Sequence, residues 1–508
     1  MLLTPAPRIP QRAWPLGYQG IGALLSCPRH TDQRQAANGC FVGLGSQKRQ
    51  PLGASRRQFW IPGAQARRLS LLVAIQPAPL APRCPQERPP LLSVPGVGKT
   101  HHYYTTSPPA GVKCHVVDLR SDTVTLPSPE MRQAMAQAEV GDDDYREDPT
   151  VNELQRVVAD LLGMEEALFV PSATMANLIA VMCHCHRRGA QVLLGKEAHI
   201  HIFEHGGVAE VAGVHSEALQ DLPDGTMDLD ELEHKIQQAQ GNRYLPRPAL
   251  ICLENTHCST GGRVVPLQYL QKVRQLAQQY SLRIHIDGAR VLNAAVALGV
   301  PPRQIAQHCD SISLCLSKGV GAPAGALLAG ARGFITEAWR VRKLLGGGMR
   351  QAGVLAAAAL VGLHNVEETL KRDHDNARCF AQGASALASP LCSINLAAVE
   401  TNILLMRTLT PWLTPSTLCE LMEAVSAEEV AATGQATSVR LFPWGKHCLR
   451  AVWHRDVSPH DTRLCGINER NVLNVTNEAT RISVYRHENC RMLQRTHSNQ
   501  PFNINQNG

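Results

Sequence analysis

From Asp118 onward the chain alternates short apolar runs with longer amphipathic segments. Residues 167–171, 191–194, 249–254, 283–287, 311–316 and 325–329 are apolar stretches of strand length, as strands buried on both faces are. Between several of them the period lengthens. Residues 228–239 open on Asp228, a good helix cap, and residues 267–280 place Leu267, Leu270, Val273 and Leu276 on one stripe. Strand and helix in alternation predict an α/β fold, a mostly parallel sheet flanked by helices. A helical stretch over residues 334–366 follows, and strands resume near 401–406 and 448–453. The pattern therefore gives a large domain at 116–366 and a smaller C-terminal α+β domain at 367–461. Ser458 to Asp461 read as a capping box, but no sustained apolar stripe is evident after it, so residues 462–508 are expected to form a polar, unpacked tail.

Length and charge refine this picture. A chain of 508 residues exceeds one ordinary core. No apolar run approaches the roughly 20 residues that cross a bilayer, which excludes a membrane span from the reading. The net charge of +7 is unevenly placed: the segment before Asp118 carries +12, leaving −5 for the rest. The mildly acidic body gives no sign of a nucleic-acid partner. Residues 1–115, rich in Pro, Gly, Gln and Arg, read as a presequence or a disordered extension, which fits a mitochondrial or a cytoplasmic location. Sixteen cysteines without a Cys-x-x-Cys pair point to a reducing compartment.

Three local patterns invite other readings. GVGKT at residues 96–100 lacks the preceding strand and first glycine of a phosphate-binding loop. Cys183 to His186 alternate Cys and His, yet on a helix they point in different directions. His199 and His201 would share a face on an extended segment, with His205 nearby, so a metal stays open; an aromatic ring over a cofactor explains His199 with fewer assumptions.

The strongest chemistry lies at two strand ends. Lys318 follows the apolar run 311–316 inside a small-residue loop, and Asp287 ends the run 283–287. An amine and an acid presented together suit pyridoxal phosphate, whose aldehyde takes a lysine and whose pyridine nitrogen takes a carboxylate. A surface lysine and a capping aspartate are the plainer alternative. VPSATMAN, residues 170–177, reads as strand end, turn and helix start. There the N–H groups of Ala173 and Thr174 and the Thr174 hydroxyl face the positive end of a helix, a phosphate site or simply a Ser-capped start.

Eight ordered segments over about 340 residues resemble the low-specificity L-threonine aldolases, pyridoxal-phosphate enzymes of the aspartate-aminotransferase fold type. They are DLRSDTVTLPSPEMRQAM, GDDDYREDPTVNELQ, FVPSATMAN, HIHIFEHGG, LENTHCSTGGRVVPL, HIDGARVLNAAVALG, SLCLSKGVGAPAGALL and RKLLGGGMRQAGVLAAA. The resemblance implies that Lys318 binds the cofactor as a Schiff base, Asp287 pairs with its ring nitrogen and His199 stacks on the ring. It assigns Arg290 to the cofactor's phenolic oxygen and the substrate carboxylate, with Ser121 and Arg450 completing the clamp. His257 would approach the substrate β-hydroxyl. Tyr145 and Arg350 would come from a neighbouring subunit of a homotetramer built from dimers. No metal is implied.

The implied reaction is retro-aldol cleavage of L-threonine or L-allo-threonine to glycine and acetaldehyde, with His199, His257 or a water as the base. Alternatives within the fold are a serine hydroxymethyltransferase-like enzyme and a β-eliminating lyase; outside enzymology, a catalytically silent relative. The chain departs from the family pattern at Ala173, where glycine is usual, and at Asp144 and Arg146 beside Tyr145. A closing C-terminal helix is also expected to be missing after Asp461.

Overall fold

The computed structural model describes residues 114–474 and 476 together with Tyr104–Thr105, and omits 427–429 and 432. Apart from residues 114–115 and Tyr104–Thr105, which pair antiparallel with Val425–Ser426, the basic extension lies outside the described residues, as do GVGKT and residues 477–508. Seven strands form the main sheet, in the order Glu166–Val170, Ala326–Gly330, Ser311–Cys315, Arg283–Asp287, Arg247–Glu254, Ala190–Gly195, His215–Leu219. The last five run parallel, and Ala326–Gly330 is antiparallel to both its neighbours. The mostly parallel sheet flanked by helices is thus the fold expected. Each of the six apolar runs is a strand. His215–Leu219 is an addition: an edge strand that buries only Leu219 shows no apolar run to read.

Helices cover the sheet where their stripes demand it. Asp228 accepts from the Glu231 N–H at 2.9 Å and opens Leu229–Ala239. Leu267–Gln279 buries Leu270, Val273 and Leu276, each worth about 1.5–3 kcal/mol relative to exposure. The long helical stretch expected near 334–366 is two helices, Arg332–Leu344 and Gly353–His364, parted by the GGGMRQA loop and followed by Val366–Ala386. Among the described residues no helix is long and apolar enough to cross a membrane, and no described cysteine forms a disulfide.

The small domain is built on an antiparallel sheet of Cys392–Ile394, Ile403–Thr408, Cys448–Val452 and Phe442–Pro443. Two expectations change here. His115–Asp118, counted with the large domain, pairs in parallel with Thr437–Arg440, and Val117 and Leu119 sit in the small-domain core with Leu404, Val439 and Trp453. The segment His115–Asp118 therefore belongs to the small domain, and the chain crosses from it to the large one through LRSDT. Secondly, residues 459–474 are helical, not an unpacked tail. Ser458 Oγ accepts from the Asp461 N–H at 3.1 Å while Asp461 Oδ2 accepts from the Ser458 N–H at 2.8 Å, a reciprocal cap. Cys465, Val472 and Leu473 enter the small core, and Leu464 is buried beside them in sequence. The domains meet tightly at Gly261 and Gly262, both at positive φ: a Cβ on Gly262 would come within 2.5 Å of Thr401 Oγ1.

Candidate active site

The carboxyl ends of the parallel strands gather the polar groups, as open α/β sheets do. Asp287, the last residue of its strand, is 2 % exposed; it accepts from Asn177 Nδ2 at 2.9 Å and from the Ala289 N–H at 3.0 Å. Asn177 lies on the sheet-facing side of the helix Ala173–His184. Its Oδ1 takes the Ser313 hydroxyl at 2.9 Å and lies 3.1 Å from His285 Nε2, which leaves the amide donors for Asp287 and for Glu204, also at 2.9 Å. Behind it, burial pushes His285 down to about 4 and His184 down to about 3, so both rings are neutral. His184 lies 2.8 Å from Ser311 Oγ and stacks on Phe334, while Cys185 is buried and His186 exposed, so the Cys–His run divides between core and surface.

Lys318 sits three residues beyond Ser311–Cys315, the strand that pairs with Asp287's own. It is half-buried, and among the described residues its Nζ makes no hydrogen bond or ion pair, although its charge acts on Asp122. Ser172 caps the neighbouring helix by accepting from the Met175 N–H at 3.2 Å. Ala173 is the first helical residue and is absent from the positive-φ positions, so its methyl is accommodated where glycine is usual. The N–H groups of Ala173 and Thr174 lack intrahelical acceptors, as at any helix start.

His199 faces the same pocket. The segment is a short helix, His199–Ile202, so His201 does not share its face, and His205 is exposed at φ 54°. Glu204 lies 2.9 Å from His199 Nδ1, and the His199 N–H donates to Glu254 at 2.8 Å. Burial opposes a charged ring, but Glu204, Asp287 and Glu254 outweigh it and raise the His199 pKa. Burial, with Asp287 adding, raises Glu204. Ligand atoms of His199, Glu204 and Asp287 lie within 4.8 Å of one another, a set that could hold a metal ion or frame a cofactor ring.

The second half of the site spans the domains. Arg290 is expected to hold phenolic and carboxylate oxygens; instead its Nε and Nη2 both donate to Asp122 at 2.7 Å, which occupies one edge of its fork. Burial would raise Asp122, but the Arg290 guanidinium holds it well below the usual carboxylate range. Ser121 caps the turn that carries Asp122. Arg450, from the small-domain strand Cys448–Val452, is 7 % exposed and lies 4.1 Å above the Trp444 ring. Its Nη2 donates to the Arg120 carbonyl at 3.2 Å and its Nη1 to Cys258 Sγ at 3.4 Å. Burial and Arg290 lower its pKa against the pull of Cys258 and Asp122. Ser121, Arg290 and Arg450 are thus brought together.

Other expected residues stand apart. His257 is 2 % exposed, with Nδ1 3.1 Å from Thr260 Oγ1 and Nε2 3.3 Å from Asp221; no contact joins it to Lys318, Asp287 or Arg450. Tyr145 is 74 % exposed, and Arg350 pairs with Asp142 and, at 2.7 Å, with Asp144. Asp148 accepts from the Gly353 N–H at 2.8 Å, so GDDDYREDP and GGGMRQAG form one surface. Asp122, Asn177, Glu204 and Cys258 lay inside the quoted motifs unread. For Asn177 a signal existed: one amide amid the otherwise apolar run MANLIAVM.

Comparison with known proteins fits this geometry. The beta-eliminating lyase family matches residues 118–408, which sets the class. Low-specificity L-threonine aldolase 1 of Arabidopsis thaliana is 49 % identical over 345 residues, covering 68 % of this chain and 93 % of that protein. The low specificity L-threonine aldolase of Escherichia coli K12 is 40 % identical, over 68 % of this chain and 95 % of its own length. A solved threonine aldolase of Leishmania major shares the fold, with a TM-score of 0.56 at 18 % identity over 70 % of this chain and 99 % of that one. Within that class, the chain belongs to the low-specificity L-threonine aldolase family.

Proposed function

We propose that this protein cleaves L-threonine and L-allo-threonine to glycine and acetaldehyde with pyridoxal phosphate. The observation that carries the reading is the half-buried, unpartnered Lys318 amine at the same sheet edge as the doubly bonded Asp287 carboxylate. These residues fit the cofactor: Lys318 for its aldehyde, Asp287 for its ring nitrogen, His199 for its face, and the N–H groups of Ala173 and Thr174 for its phosphate. Bound there, the cofactor supplies the electron sink for the pair released when the substrate Cα–Cβ bond breaks.

The chain's own residues do the rest. Arg450 offers a buried, charge-assisted donor to the substrate carboxylate from the small domain, and Trp444 shields it from water. Asp122 fixes one edge of the Arg290 fork, leaving Nη1 free of that pair for a ligand oxygen. Asn177 orients Asp287 by donating to its carboxylate. Tyr145 and Arg350, exposed on one surface, suit a role in the neighbouring site of a homo-oligomer, a tetramer by family pattern. A soluble compartment, cytoplasm or mitochondrion, goes with this reading.

Purified protein given pyridoxal phosphate should gain a visible absorption band and release glycine and acetaldehyde from threonine. Lys318→Ala should abolish both, with a rate loss on the order of a thousandfold or more. Full turnover in Lys318→Ala would sink the proposal. The family description favours a second reading, β-elimination, which pyruvate and ammonia from β-substituted amino acids would reveal.

A further inference from the structure

Where the two arginines converge stands a thiol. Cys258 Sγ accepts from Arg450 Nη1 at 3.4 Å, and its N–H is fixed on Glu254 at 2.9 Å. Arg290 is close enough that negative charge on Cys258 favours its guanidinium. Two buried guanidinium groups therefore share this corner, yet the carboxylate beside them, Asp122, hydrogen-bonds Arg290. Arg450 Nε is buried with no acceptor. The corner lacks an anion at Arg450, and the sulfur is the group already placed to become one.

We propose that Cys258 is a peroxide-sensitive thiol inside the carboxylate pocket, whose oxidised anionic form occupies Arg450 and excludes the amino-acid substrate. The inference rests on Arg450 as the holder of that carboxylate. The Cys258 sulfur attacks one oxygen of hydrogen peroxide, the O–O bond breaks, and hydroxide leaves and takes up the thiol proton as water. Sulfur loses two electrons and peroxide gains them, giving sulfenic acid; a second peroxide adds one more oxygen in the same way to give sulfinate. The sulfinate, and the sulfenate left when the sulfenic acid gives up its proton, present oxygen acceptors to the guanidinium as a carboxylate does. Cys258 is 5 % exposed, but an opening that admits an amino acid to Arg450 admits peroxide.

The test treats the full chain with peroxide and dimedone, which traps sulfenic acid, and quantifies each cysteine by peptide mass spectrometry. Cys258 should be labelled. Glycine at about ten times its Kd should slow that labelling about tenfold, since about one-tenth of sites stay open. Arg450→Met should slow it too, with the exposed Cys379 labelling unchanged as the internal control. Threonine cleavage, each protein against its own untreated rate, should fall in step with Cys258 labelling and stay constant in Cys258→Ser. Cys258 left unlabelled while Cys379 is fully labelled, or labelling indifferent to glycine or to Arg450→Met, overturns the proposal. Labelling is read on the thiol itself, so expected labelling without any release of glycine would count against the proposed function alone.

Discussion

Buried acids in the cleft and under the closing helix behave in opposite ways. Asp122 is 0 % exposed and is held well below the usual carboxylate range, because the doubly bonded Arg290 outweighs burial. Glu469, on the helix of residues 459–474, is 1 % exposed, finds no hydrogen-bond partner among the described residues, and is pushed up to about 8 by burial. Equal burial with opposite outcomes shows that the partner, not depth, sets the charge state. The cleft is a frame of paired charges. The helix that closes the small domain carries an acid that docks best uncharged.

The comparison breaks most severely at Asp122. Asp122→Ala should leave Arg290 buried and unpaired, costing about 3–5 kcal/mol of stability, read as a lower midpoint in urea. The LRSDT crossing should loosen with it, since Asp122 also receives Asn402 Nδ2 at 3.4 Å from the small domain. An unchanged midpoint would mean that Arg290 is stabilised by something other than this pair.

Glu469 should respond the other way. Its folded pKa of about 8 lies above the unfolded value of 4.5, so between them the folded chain keeps a proton that the unfolded chain has released. Stability is therefore full below about 4.5 and declines as pH rises through the folded value. Glu469→Leu should remove that slope and raise stability at pH 8 by on the order of 2–4 kcal/mol. Urea titrations of both proteins at pH 5 and pH 8 check it; parallel losses in the two would refute the assignment.

This same acid explains what the sequence concealed. Leu464 with Cys465, Asn468 with Glu469, and Val472 with Leu473 are the buried pairs of the helix, spaced by four residues, and the middle rung is polar. A hydrophobic stripe interrupted by Asn-Glu does not register as one, although the capping box before it did. Lys318, Asp287 and the parallel strands were legible because buried strands read as continuous apolar runs. The occupation of Arg290 by Asp122 was not, because 168 residues separate the partners. His257 lay in a motif, yet motif membership fixes no side-chain direction, and its ring turns to Asp221.

Arg450 sharpens the comparison from within the cleft, since it is the buried charge there without a carboxylate on it. Arg450→Lys should keep the cofactor band and raise KM for threonine, lowering kcat/KM roughly tenfold to a hundredfold, as losing about 1.5–3 kcal/mol of charge-assisted bonding would. Loss of the cofactor band would instead place Arg450 on the cofactor.

The smallest expected effect tests how finely the cleft is wired. Glu204 accepts from Asn177 and lies within hydrogen-bond distance of His199 Nδ1, both through Oε1 at 2.9 Å. Glu204→Gln keeps an oxygen for these contacts but removes the charge that helps to raise His199, so the His199 pKa should fall toward its ordinary value of about 6.5. The new amide cannot turn its nitrogen toward Asn177 Nδ2, because two donors would then oppose each other. Its oxygen must therefore stay where the carboxylate oxygen was, and Asp287 keeps both its Asn177 and Ala289 donors. Cofactor affinity, read by fluorescence titration, should change little while the histidine titration, read by NMR, moves down. A His199 titration that ignores Glu204→Gln would show that the ring is held by other acids, Asp287 and Glu254 being the ones that remain.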